Sequence, residues 1–180
     1  MSDAKRVLRA RLRAERITFA MSSDAVIVPP SAFLDRLHAG MVVASYIPVG
    51  SEADPTPLAT AAKVAGCTIV LPHVTSRADP IRFLEWDVRG PLASGPFGLR
   101  QPDTDAAELR PDVILTPLLG FDAQLNRLGQ GAGHYDRAFE ACPDAWRLGV
   151  AWSCQQVDAL AVDPWDVPLH AIVTEQGLMP

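Results

Sequence analysis

Apolar positions recur along this chain with two different periods. Over residues 4–20, Leu8, Leu12, Glu15 and Phe19 follow the i, i+4, i+7, i+11 spacing of one helix face, and all but Glu15 are apolar. Val7 widens that face, and the spacing predicts a helix. Lys5, Arg9, Arg13 and Arg16 form a second stripe one residue out of phase, about 100° around the helix. Like charges four residues apart repel by a few tenths of a kcal/mol. An anion lying along the stripe would relieve that repulsion; a solvated basic face accounts for the same pattern.

Farther along, short runs are nearly continuous in apolar and β-branched residues. Met41–Ile47, Thr68–Val74, Val113–Leu119, Leu148–Trp152 and Ala171–Thr174 read as strands, and Ile81–Trp86 as a further, antiparallel candidate. Between the first two runs, Pro57–Ala65 is an alanine-rich helix that stops at Gly66. A glycine-rich loop follows the third run and leads into a helical stretch, Tyr135–Ala141. Strands without polar alternation, separated by helices, predict an α/β fold: a mostly parallel sheet with helices on both faces, in Rossmann-like three-layer form. Segment 87–111, rich in Gly, Pro and Asp, reads as an irregular excursion over the sheet. No linker divides the chain, so residues 1–180 are expected to form a single domain.

Composition narrows the class. With 48% apolar and 21% charged residues the chain is globular rather than disordered. A net charge of -5 argues against a general nucleic-acid binder. Cys67, Cys142 and Cys154 have no CxxC spacing, which points to a reducing compartment. Cys142 and Cys154 could be neighbours, with nothing to suggest a disulfide. His38, His73, His134 and His170 are scattered, which disfavours zinc. No apolar run is long enough to span a bilayer. The N-terminus lacks the apolar core of a signal peptide, and Asp3 and Glu15 weigh against a mitochondrial presequence. The expectation is a cytoplasmic protein that binds a small molecule, a monomer with no clear partner surface.

Most of the chemistry lies in Phe121-Asp-Ala-Gln-Leu-Asn-Arg-Leu-Gly-Gln-Gly-Ala-Gly-His-Tyr-Asp-Arg137, which follows a strand and enters a helix. Gly129, Gly131 and Gly133 alternate, and N–H groups converging at a helix start make an anion cradle. Arg127 adds a fork of donors suited to phosphate oxygens. No GKS or GKT follows, so this is not a Walker A loop, and the GxGxG spacing is not the dinucleotide fingerprint. Asp136 just inside the helix would repel phosphates unless a cation such as Mg²⁺ intervened. Compensation of the helix dipole explains it equally well.

These motifs, taken in order, resemble the 5-formyltetrahydrofolate cyclo-ligase family over almost the whole chain. The basic first helix is Ala4-Lys-Arg-Val-Leu-Arg9, and the strand with its acidic turn is Ser45-Tyr-Ile-Pro-Val-Gly-Ser-Glu-Ala-Asp54. Gly95-Pro-Phe-Gly98 precedes Pro102, the signature loop is Arg127–Arg137, and Gln156-Val-Asp158 and Trp165-Asp-Val167 close the series. The resemblance implies ATP- and Mg²⁺-dependent closure of 5-formyltetrahydrofolate to 5,10-methenyltetrahydrofolate, with release of ADP and phosphate. Phosphoryl transfer to the formamide oxygen would make it a leaving group for attack by N10. Lys5, Arg9, Arg127 and the run Leu128, Gly129, Gln130, Gly131, Ala132, Gly133, His134 and Tyr135 would contact ATP. Ile47, Glu52 and His134 would line the folate site, with Glu52 toward the pterin. Asp136 and Asp166 would hold Mg²⁺, and Arg127 and Tyr135 would act in catalysis. No general base stands out among Tyr135, His134 and Glu52. Arg13 and Arg16 receive no role and read as plain surface.

Two positions depart from the family pattern. His134 stands where a tyrosine is usual, and Ala132 where glycine or lysine is usual. A histidine can still stack on a ring and donate one hydrogen bond. Three rivals remain: a binding-only relative, an α/β isomerase or acyl-CoA transferase of similar architecture, and the same chemistry on another formylated or amide substrate. ATP dependence separates the second.

Overall fold

A computed structural model describes residues 3–76 and 79–180. Helix α1 (Asp3–Ser22) is followed by a short α2 (Ser31–Leu34) and strand β1 (Val42–Ala44). Helix α3 (Thr56–Val64) leads to β2 (Thr68–His73) and β3 (Arg82–Glu85). The excursion carries a small ribbon, β4 (Ala93–Ser94) with β5 (Arg100–Gln101). Next come β6 (Val113–Pro117) and a second ribbon, β7 (Gly120–Phe121) with β8 (Arg127–Leu128). Helix α4 (His134–Ala141), β9 (Trp146–Val150), β10 (Ala171–Thr174) and β11 (Gly177–Met179) complete the chain.

The main sheet has the order β11-β10-β9-β6-β1-β2-β3. Pairings from β2 through β1, β6 and β9 to β10 are parallel; β3 and β11 join antiparallel at the two edges. The antiparallel strand expected at Ile81–Trp86 is thus β3. Alternate residues feed opposite cores, as period-two geometry requires. Val43, Ile69, Leu115 and Leu148 pack with Leu58 and Ala62 of α3. Ala44, Val70, Ile114 and Ile172 pack with Ala138 and Phe139 of α4. Helices therefore cover both faces, which is why the central strands read as unbroken apolar runs.

The remaining differences from the sequence reading have local causes. Val7, expected on the buried face of α1, is 61% exposed, while Arg16 from the polar stripe is 4% exposed. The helix docks on Leu12 and on a polar anchor, not on an apolar strip alone. Cys142 and Cys154 join the two opposite cores, so they are not neighbours; all three thiols are free. Ribbon β7–β8 consists of two-residue strands, too short for any periodic signal. At its base, a Cβ on Gly120 would lie 2.6 Å from Leu12 Cδ1; only glycine lets α1 approach this closely.

Asp122 fastens that ribbon to the C-terminal segment. The carboxylate is 1% exposed. Its Oδ1 accepts the N–H groups of Gln124 (3.0 Å) and Asn126 (3.1 Å), and its Oδ2 accepts Asn126 Nδ2 and the Leu160 N–H, both at 3.0 Å. Within the turn Leu125 has φ 62°, a conformation costing ~1–2 kcal/mol that the bonds to Asp122 offset. Its carbonyl accepts the Leu169 N–H at 3.0 Å. Burial pushes the Asp122 carboxyl up, but the hydrogen bonds from Asn126, Leu160 and Gln124 outweigh it and hold it below its ordinary value. A depressed folded pKa stabilises the protein above the unfolded value of about 4, and that contribution disappears as pH falls through the folded value. Asp122→Ala is expected to cost about 2–3 kcal/mol at pH 7. Denaturant titrations at pH 7 and at pH 3 check this, with the gap between variant and parent narrowing at the lower pH.

Candidate active site

The connections leaving β1 and β6 diverge. From β1 the chain passes through α3 on one face to β2; from β6 it passes through α4 on the other face to β9. Neighbouring strands whose connections part in this way open a crevice at their carboxyl ends, the usual ligand site in open α/β sheets. A cavity of about 610 Å³ lies there. Its wall includes Tyr46 to Glu52 after β1, Pro117 and Leu118 after β6, and the loop Arg127 to Asp136. Helix α1 lies across the opening with Lys5, Arg9, Arg13 and Arg16 all lining it.

The cavity gathers Lys5, Arg9, Ile47, Glu52, Asp166 and the whole run Arg127–Asp136. Lining residues that the sequence reading missed include Tyr46, Pro72, Val74, Leu99 and Arg100. Leu99 and Arg100 belong to the Gly/Pro-rich excursion, whose composition carries no pointer to where it folds back. Gln101 anchors that excursion by accepting the Val74 N–H at 3.1 Å. Trp165 is 68% exposed and lines an adjoining cleft beside α4 that shares Gly133 and Asp136 with the first.

The loop between β8 and α4 is built by its glycines. Gly131 (φ 97°) and Gly133 (φ 68°) take left-handed conformations that bulkier residues enter at a cost. Ala132 does not, so alanine is tolerated there. The Arg9 Nε donates to the Gly129 carbonyl at 2.8 Å, and Arg13 Nη2 donates to Gln130 Oε1 at 2.8 Å. Arg13 is therefore a loop contact rather than plain surface. At the helix start, Arg137 Nη2 is 3.2 Å from His134 Nδ1. The arginine can only donate, so the ring nitrogen accepts and the neutral imidazole carries its proton on Nε2.

Lys5 and Arg127 meet carboxylates. Lys5 Nζ bridges Asp163 Oδ2 (2.5 Å) and Asp166 Oδ2 (3.2 Å), joining the first turn of α1 to the C-terminal segment. Desolvation lowers the Lys5 pKa, but the hydrogen bonds and charges of Asp163 and Asp166 outweigh it and leave the ammonium above its ordinary value. Asp163, which no sequence motif marked, shares a turn with Asp166: its N–H donates to Asp166 Oδ2 at 2.8 Å. Arg127 Nη2 contacts Asp136 Oδ1 at 2.5 Å, and its guanidinium lies 5.0 Å from the Phe139 ring centre. Tyr135 is partly buried next to Arg127. Burial, with a smaller contribution from Glu52, drives its hydroxyl far above its ordinary value, so it is a hydrogen-bond donor and not a base near neutral pH.

A model of the 5-formyltetrahydrofolate cyclo-ligase family matches residues 1–175. The chain belongs to that family. It is 34% identical over 144 residues to a 5-formyltetrahydrofolate cyclo-ligase of Escherichia coli strain K12, spanning 73% of this chain and 76% of that relative. A cyclo-ligase of Mycolicibacterium smegmatis is 34% identical over 149 residues, 78% of this chain and 77% of its own. Among solved structures, a 5,10-methenyltetrahydrofolate synthetase of Aquifex aeolicus has a TM-score of 0.73 at 27% identity, covering 97% of this chain and 91% of that one. Membership in this ligase family accounts for the order of the motifs. No helix among the described residues is long and apolar enough to cross a membrane.

The chemistry of the cyclo-ligase site also suits an anion. The Arg127 Nε is buried and has no hydrogen-bond partner, a costly state that a bound oxyanion would relieve. A Cβ on Gly129 would lie 3.1 Å from Arg127 Nη1, and one on Gly133 would lie 3.1 Å from Arg137 Nη1; glycine keeps the cradle open. One charge-assisted hydrogen bond is worth ~1.5–3 kcal/mol. Arg127→Met should therefore weaken binding of inorganic triphosphate by about 10- to 100-fold. Titration calorimetry in Mg²⁺-free buffer measures this directly.

Proposed function

We propose that residues 1–180 act as one catalytic unit that closes 5-formyltetrahydrofolate to 5,10-methenyltetrahydrofolate with consumption of ATP. The observation that carries this reading is the presence of two chemically different sets of groups in the wall of one cavity. Lys5, Arg9, Arg127 and the glycine loop make a cationic set, while Ile47, Val74, Leu99 and Tyr46 make an apolar set accompanied by Glu52. The first suits a polyphosphate. The second suits a flat heterocycle whose N–H groups need an acceptor.

Bound ATP would supply the phosphoryl group that makes the formamide oxygen a leaving group, and bound Mg²⁺ would supply counter-charge at Asp136 and Asp166. Among the described residues no group of three His, Cys, Asp or Glu forms a metal cage. Two carboxylates completed by phosphate oxygens and water suit Mg²⁺, which keeps part of its hydration shell. Arg127 and Lys5 hold charge at the reacting end, and the loop amides orient it. His134, with its Nε2 proton, donates toward the folate where the family usually has a phenol. Leu99 and Val74 exclude water that would otherwise hydrolyse the activated substrate. The three free thiols and the use of ATP fit a cytoplasmic enzyme.

Purified protein mixed with 5-formyltetrahydrofolate, ATP and Mg²⁺ should produce the near-ultraviolet absorbance of the methenyl product, and omission of ATP should abolish it. Absorbance that rises equally without ATP would favour an isomerase-like chemistry. Asp136→Asn is expected to lower turnover by about 10- to 100-fold and to raise the Mg²⁺ requirement. Full activity of that variant at low Mg²⁺ would remove Asp136 from the metal site.

A further inference from the structure

Arg16 is the least expected residue in the wall of the cavity. It is 4% exposed, and a guanidinium stays charged at any pH the protein survives, so burial demands partners. Three are present, and they belong to both sides of the crevice. Its Nε donates to Ser51 Oγ at 3.1 Å, and its Nη1 reaches the Leu118 carbonyl at 3.5 Å. The same Nη1 lies 3.7 Å from Glu52 Oε1.

The surroundings brace each contact. Glu52 Oε2 accepts the Val49 N–H at 3.0 Å, which closes the turn after β1. Trp152 Nε1 donates to the Ser51 carbonyl at 3.0 Å, and Phe19 of α1 packs on that indole with ring centres 5.6 Å apart. Gln155 Nε2 donates to the Leu118 carbonyl at 2.7 Å. One guanidinium from α1 thus ties the end of β1 to the end of β6. It also faces Glu52 at a distance where the charge acts but no direct hydrogen bond forms. Oε1 keeps its capacity to accept an N–H.

Along α1, Arg16 is seven residues beyond Arg9, about 10 Å at 1.5 Å per residue. Its role is thus separable from that of the phosphate-facing cations at the start of the helix. Resting on the cyclo-ligase reading above, we infer that Arg16 is a positioning residue: it fixes the Val49–Glu52 turn so that Glu52 presents a free carboxylate oxygen to the N–H groups of the pterin ring. Arg16 itself touches no reacting atom.

The test is a double-mutant cycle on Arg16→Met and Glu52→Gln, with Arg16→Lys and Ser51→Ala alongside. Substrate and ATP KM, kcat, equilibrium binding of 5-formyltetrahydrofolate and melting temperature are measured for each. Arg16→Met should raise the KM and Kd for the folate by about tenfold or more while moving the ATP KM less than about twofold. Arg16→Lys should recover part of the loss, and Ser51→Ala should show a smaller loss of the same kind. Because Arg16 acts through Glu52, the double variant should bind folate no worse than Glu52→Gln alone. Additive losses, or equal changes in both KM values, would overturn the role. If Arg16→Met does not fold, Arg16→Lys combined with Glu52→Gln decides by the same criterion. Wild-type protein that neither binds nor converts 5-formyltetrahydrofolate would sink the functional reading itself, whereas an active wild type with an additive cycle sinks only the Arg16 role.

Discussion

The divergence of the chain after β1 and β6 is the constraint on which the rest depends. Parallel strands need crossover connections, and here those connections go to opposite faces of the sheet. Neither crossover helix then covers the gap between the two strand ends, and backbone groups there must find partners elsewhere. Helix α1 provides them by lying across the gap, with Arg16 and the nearby Gln155 both reaching the Leu118 carbonyl. The cavity follows from this geometry, and so does its basic wall, because the helix that covers the gap brings its charged stripe with it.

Placing cations along a partly closed cavity creates an electrostatic problem that the carboxylates solve. Lys5 is paired with Asp163 and Asp166, Arg127 with Asp136, and Arg16 with Glu52. Pairs of this kind contribute little net stability, since desolvation offsets most of the attraction. On the proposed reading their consequence is functional. An arriving polyphosphate would compete for Lys5 and Arg127, and a divalent cation for the carboxylates left behind. Such an exchange of partners would conserve local charge, so the site would fill without a large electrostatic penalty. The Arg16–Glu52 pair stands apart, bound into a turn and two strand ends.

Support for the glycine-rich loop comes from outside the cavity. Asp122 joins the β7–β8 turn to Leu160, and the Leu125 carbonyl joins it to Leu169. These bonds couple the strand that carries Arg127 to the segment that carries Asp163 and Asp166. A buried acceptor with four donors keeps these two cavity-lining segments in one register, in the manner of outer-sphere groups that orient ligands.

Strand–helix alternation, the apolar runs and the glycine-rich loop were all legible in the chain, because each depends on neighbours within a few residues. Helix α1, the central strands and α4 lie within a few residues of their expected bounds for that reason. Ordered motifs were enough to identify the family, and the candidate site residues named from them line one cavity. What periodicity could not decide was which face of α1 turns inward. Val7 faces solvent and Arg16 is buried, since Arg16 docks on the turn at Ser51 and Glu52 after β1 and on Leu118 just beyond β6. Asp163 and Asp122 were silent in the sequence, where each is one acidic residue among many in loops. Their significance arises from donors 158 and 38 positions away in the chain, brought together only when the sheet closes over its two cores. Local sequence determined the elements and the chemical character of the site; the pairing of distant charges, and with it the separation of α1 into an end held by Asp163 and Asp166 and an end that holds the turn at Ser51 and Glu52, was decided by tertiary structure alone.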